Sequence, residues 1–130
     1  MLLVLLGVAP AQAHSRYTRS EPADGAQVES APFVLKSWYS QELMLRSKVS
    51  VVSADGTQVD LGDGRVDQED PDRKVMVVSL PALPEGTYRV RWLAWSAEDG
   101  HDAEGEFTFI VGAAAGWSPP STPGPQQEES

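Results

Sequence analysis

Cysteine is absent from all 130 residues, which removes disulfide frameworks, thiolate zinc and iron–sulfur sites, and thiol nucleophiles together. Positive charge is scarce: 10 Lys+Arg stand against 19 Asp+Glu, for a formal net charge of -9. A surface of that sign does not gather phosphates, which requires clustered Lys and Arg, so no nucleic acid partner is expected. An anionic bilayer repels it for the same reason. Histidine is rarer still, with 2 in the chain, so imidazole chemistry is confined to His14 and His101. No internal repeat is visible. Long apolar runs are missing too, apart from the first thirteen residues, which fall short of the roughly 20 needed to span a bilayer.

That opening run, Met1 to Ala13, carries no charge and ends in Ala11-Gln12-Ala13. Small residues at both subsites of signal peptidase predict removal of residues 1–13 and a mature chain starting at His14, outside the cytoplasm. At the other end, residues 113–130 are dominated by Pro, Gly, Ser and Gln without periodicity, the composition of an unpacked tail. Residues 14–112 are left as one foldable domain with enough chain for a modest core.

Within that domain the apolar pattern has period two. Strands are expected at residues 33–39, 48–53, 74–80, 87–95 and 106–111, with Ala54-Asp55-Gly56 turning the chain into a return strand at 57–61. Tyr88, Val90 and Trp92 fall on one face of their strand, and Phe107, Phe109 and Val111 point inward from theirs. The acidic stretch 62–73 reads as a solvated loop. Only residues 41–47 have helix-forming composition. Short strands between Gly, Pro and Asp turns predict an all-β protein, an antiparallel Greek-key sandwich or barrel of about seven immunoglobulin-like strands. Functional groups then belong in the loops at its ends.

Two such loops draw attention. A terminal His14 offers an α-amine and an imidazole from one residue, which together close a chelate ring on a metal. His101 follows the longest strand in Ser96-Ala97-Glu98-Asp99-Gly100-His101-Asp102, where extended backbone would project Asp99 and His101 to the same side. Three nitrogens and one carboxylate oxygen suit tetragonal Cu(II). Zinc uses the same atoms in another geometry. A polar Asp-Gly-His loop is also what plain surface looks like, and spacing alone does not separate the two.

The ordered set of segments resembles the CopC-like family of exported copper-binding proteins. It comprises Ala13-His14, Ser20-Glu21-Pro22-Ala23-Asp24-Gly25, Leu83-Pro84-Glu85-Gly86-Thr87-Tyr88-Arg89-Val90-Arg91-Trp92, Ser96 to His101, and Gly105-Glu106-Phe107-Thr108-Phe109. The resemblance implies a seven-stranded Greek-key fold that holds Cu(II) through the amine and imidazole of His14, the imidazole of His101 and the carboxylate of Asp99. It also implies a carrier or buffer in copper homeostasis, with a CopD-type membrane transporter as a partner. The family's F-S-E-P segment is altered here to Tyr39-Ser40-Gln41-Glu42, which raises Glu42 as a candidate supporting carboxylate. Met44 and Met76 sit apart and read as fillers, so a thioether Cu(I) site is not expected.

Copper binding through a terminal amine carries a pH signature. The amine must lose a proton to coordinate, and its ordinary pKa is about 7.7–8.0, so affinity should fall steeply into mildly acidic solution. Other functions fit less well. A terminal-His copper centre is also found in oxidative enzymes acting on polysaccharides, but Asp99 would occupy a position that oxygen activation needs open. The residues Trp38, Trp92, Trp95 and Tyr88 read as core or interface, so no sugar ligand is expected. Ser96, Asp99 and His101 lie too close in one loop for a hydrolytic relay. An immunoglobulin-like interaction module without metal is the remaining alternative, and a non-catalytic protein is expected.

Overall fold

The computed structural model describes residues 15–112; the predicted export segment, His14 and the predicted tail lie outside the described residues. Eight strands follow in order: β1 (Tyr17–Glu21), β2 (Ala26–Val28), β3 (Val34–Tyr39), β4 (Lys48–Val52), β5 (Arg65–Val66), β6 (Val75–Ser79), β7 (Gly86–Trp95) and β8 (Asp102–Val111). They form two four-stranded sheets, β1-β3-β6-β5 and β2-β8-β7-β4. The expected all-β sandwich is what forms. Every pairing between these strands is antiparallel except β2 with β8, which is parallel.

Alternation explains which sheet faces meet. Leu35, Ser37 and Tyr39 point inward from β3, while Tyr88, Val90, Phe107, Phe109 and Val111 point inward from β7 and β8. Their burial is the main stabilising term, roughly 1.5–3 kcal/mol for each large apolar side chain. β6 is covered on both faces, so Val75-Met76-Val77-Val78 reads as an unbroken apolar run. Toward one end of the sandwich, aromatic rings bridge the two sheets. Tyr17 stacks on Phe107 at 4.8 Å between centroids, and Tyr39 meets Trp92 edge-on at 5.3 Å. Burial drives the Tyr39 hydroxyl far above its ordinary pKa; it donates to the Ser37 Oγ at 2.9 Å. There it acts as a neutral donor.

Four local expectations are corrected. Residues 41–47 form no helix: Leu43 pairs with Ser96 in an isolated bridge, its N–H donates to the Arg73 carbonyl at 2.8 Å, and the Met44 N–H donates to the Trp95 carbonyl at 2.8 Å. A helix that short cannot recover its nucleation cost, so tertiary partners win. The return at 57–61 is a single bridge, Val52 to Gln58, and the Val51 N–H is taken instead by the Asp60 carboxylate at 2.8 Å. The stretch 62–73 contains β5, whose Val66 is buried against the core. β8 starts at Asp102 rather than 106 because it pairs with β7 along its full length. Gly105 permits that pairing: a Cβ there would lie 2.5 Å from the Trp92 ring.

Candidate metal centre

The β7–β8 hairpin is zipped as far as Trp95 opposite Asp102, so the loop between them stands at the end of the longest rigid element in the fold. Ser96 opens the loop. Its N–H donates to the His101 carbonyl at 2.9 Å and its carbonyl accepts the Gly100 N–H at 2.8 Å. Gly100 has φ 75°, a value that favours glycine because it has no Cβ to clash.

Asp99 and His101 therefore sit in a tight turn, not in the extended backbone expected. They converge all the same. Asp99 Oδ1 accepts the His101 N–H at 2.8 Å, and Asp99 Oδ2 lies 3.7 Å from His101 Nδ1. Two donors each bound about 2 Å from one ion lie at most about 4 Å apart, so this spacing admits a shared cation. The Asp99 side chain is 23% exposed and that of His101 64%. One is held by the turn while the other faces solvent.

Behind the loop lies a polar layer that sequence reasoning missed. Ser15 is wholly buried. Its Oγ donates to the Gln41 carbonyl and accepts the Gln41 N–H, both at 3.3 Å. The Gln41 side chain then turns to the hairpin, where its Oε1 accepts the Ser96 hydroxyl at 2.7 Å. Ser96 is also wholly buried, and its Oγ accepts the Glu98 N–H at 3.1 Å. Gln41 thus joins the residue that follows His14 in sequence to the root of the loop that carries Asp99 and His101. The altered Tyr39-Ser40-Gln41-Glu42 segment was the available clue, and it pointed one residue too far. Glu42 is exposed, and its carbonyl accepts the Ala97 N–H of the loop at 2.9 Å.

The surroundings of the loop are acidic. The Asp67 N–H donates to the Val75 carbonyl, and the Arg73 carbonyl accepts the Leu43 N–H, both at 2.8 Å. These bonds place Asp67, Glu69, Asp70 and Asp72 at the same end of the sandwich as the hairpin loop. Tryptophans nearby have structural partners: the Arg46 guanidinium lies 3.6 Å from the Trp95 ring centroid and that of Arg19 3.6 Å from Trp38, while Trp92 packs on the core. Among the described residues no group of three or more His, Cys, Asp or Glu side chains is arranged to hold a metal. Asp99 and His101 supply two.

A CopC domain model matches residues 17–112. The chain belongs to the CopC family. CopC from Methylosinus trichosporium OB3b is 23% identical, with a TM-score of 0.67 over 75% of this chain and 93% of that one, a likeness of fold. PcoC from Escherichia coli, described as a methionine-rich copper resistance protein, is 29% identical, with a TM-score of 0.59 over 76% of this chain and 99% of its own. No curated protein sequence matches significantly. Against the methionine-rich relative, this CopC chain has 3 methionines in all. Met76 is fully buried in the core and Met44 half-buried.

Proposed function

We propose that this CopC-family chain is an exported, non-catalytic Cu(II)-binding protein that carries or buffers copper outside the cytoplasm and passes it to a CopD-type membrane transporter. One observation carries the reading. The buried Ser15 is tied through Gln41 to Ser96, at the root of the Asp99–His101 loop. Ser15 is the residue that directly follows His14 in the sequence. Cleavage after Ala13 frees an amine there, and His14 then contributes amine and imidazole while Asp99 and His101 contribute carboxylate and imidazole. That set, three nitrogens and one oxygen, is what Cu(II) prefers among divalent ions. The acidic loop between Asp67 and Asp72 lends the end of the sandwich a potential that draws cations.

The likeness to PcoC, a copper resistance protein, supports copper as the cargo. The test compares two proteins, one starting at His14 and one carrying a single glycine ahead of it. Titration with Cu(II) against a competing chelator should show the extended protein weaker by about 100-fold, some 2.7 kcal/mol. Equal affinities would remove the terminal amine from the ligand set.

A further inference from the structure

We propose that the end of the sandwich opposite the hairpin loop is a self-association surface, on which Phe33 of one copy of this chain seats in a groove of a second copy and receives that copy's ring in return. The inference goes beyond the copper reading and does not depend on it.

Among the described residues four large apolar side chains are exposed: Phe33 (85%), Leu61 (61%), Leu45 (58%) and Val34 (44%). Leu45 lies in the turn that meets the hairpin-loop end, where the neighbouring Met44 N–H bonds the Trp95 carbonyl. The other three gather around Ser79. Val34 stands opposite Ser79 in the β3–β6 register, the Leu61 N–H donates to the Ser79 carbonyl at 3.0 Å, and the Leu80 N–H donates to the Phe33 carbonyl at 2.9 Å. Apolar residues exposed singly are ordinary, whereas several in one place mark an interaction surface. The backbone bonds hold this patch in position, so presenting it to a partner costs little further ordering.

Phe33 and Val34 also border a groove of about 480 Å³, whose other apolar walls are Pro22, Val28, Ala31 and Pro32. A projecting ring beside a hollow is what a two-fold axis turns into mutual exchange, because each copy offers both parts. Charge follows the same rule. Glu21 lines the groove, and Lys36 stands opposite it in the β1–β3 register. Lys36 is exposed and makes no ion pair among the described residues. It follows the inserted Phe33 by three residues, which carries its ammonium toward the Glu21 of the second copy. One patch that holds ring, hollow and both signs of charge fits a second copy of itself. β3 begins at this patch and ends at Tyr39, ahead of the turn that meets the hairpin loop. Contact here therefore leaves both Asp99–His101 loops at the outer poles of the pair. Two chains of net charge -9 repel each other, and the patch is small, so the association is weak, with a dissociation constant on the order of 100 µM.

Sedimentation of the full chain at concentrations up to about 1 mM tests this. The wild type should pass from monomer to dimer over that range. Phe33→Asp should weaken the dimer about tenfold or more, and should leave the melting temperature unchanged because so exposed a ring adds little to the fold. Lys36→Glu should weaken it about threefold, and adding Glu21→Lys to the same chain should restore it. A chelator should change nothing, which separates this contact from one bridged by metal. A wild type that stays monomeric up to about 1 mM overturns the proposal. Nuclear Overhauser contacts from residues 113–130 to the Phe33 ring, or Phe33-dependent flotation with phosphatidylcholine vesicles, would then identify what covers the patch instead. A Phe33→Asp protein that dimerises as readily as the wild type overturns it equally, by placing the contact elsewhere.

Discussion

The two ends of the sandwich are held together by different chemistry. At the hairpin-loop end, the side-chain hydrogen bonds between separate elements are made by neutral groups. Ser15, Gln41 and Ser96 form one chain of bonds, and the Ser47 Oγ accepts the Trp95 N–H at 2.9 Å. The carboxylates there bond within their own turns: Asp67 to the Glu69 N–H, Asp70 to the Asp72 and Lys74 N–H groups, Asp99 to the His101 N–H. Toward the far end carboxylates do the bridging. Asp60 reaches the Val51 N–H, Asp24 the Thr108 N–H, and Asp63 both the N–H and the hydroxyl of Ser79. The lesson is a division of labour. At the hairpin-loop end these bonds between elements rest on hydroxyls and an amide, while the carboxylates stay at the surface within their own turns.

The strongest way to break this comparison is to remove a carboxylate from each end in turn. Asp99→Ala should weaken Cu(II) binding beyond the roughly 10–100-fold that loss of a mere supporting group costs, with little change in thermal stability. Titration and a melting curve on the same sample decide it; a copper affinity left intact would take Asp99 out of the centre. Ser47→Ala comes next. It strips the hydroxyl partner from the half-buried Trp95 N–H and should cost about 1 kcal/mol. For a domain of this size each kcal/mol lowers the melting temperature by roughly 4–8 °C.

The mildest effect belongs to Asp63. Hydrogen bonds from Ser79 hold its carboxyl below the ordinary carboxylate range, with Arg65 adding a smaller pull. A lowered folded-state pKa stabilises the fold above the unfolded value near 3.9 and loses that contribution as pH falls through the folded one. Asp63→Asn should therefore flatten the dependence of melting temperature on pH in that acid window and leave copper affinity unaltered. An unchanged pH profile would mean that Ser79 does not depend on the charge.

How much of this was legible from residues depends on how each part is stabilised. β3, β4 and β7 begin and end close to where their alternation places them, because each buries a face and the period of side chains is fixed by the strand itself, and β6 lies where its unbroken apolar run places it. β1 was not visible: Tyr-Thr-Arg-Ser-Glu lies at a sheet edge and buries Ser20 and, in part, Tyr17, too little for an alternating apolar pattern. β2 and β5 are three and two residues long and exist only through their neighbours β8 and β6. At the site, Asp99 and His101 could be singled out by type and spacing, whereas Gln41 could not. An amide one position from Glu42 has no distinguishing chemistry until Ser96 is brought against it.

Residue order alone thus determined the longer sheet-forming segments, the acidic character and the candidate metal-binding side chains, since these follow from local periodicity, charge and residue type. Tertiary structure decided which of them meet. The antiparallel pairing of β1 with β3 sets Ser15 beside Gln41, the packing of one sheet on the other sets Gln41 beside Ser96, and hydrogen bonds between residues so distant in the chain leave no periodic trace in it. Helix-forming residues at 41–47 became a turn for the same reason: backbone partners on Arg73 and Trp95 were already in place, and they outweigh a local preference worth only tenths of a kcal/mol per residue.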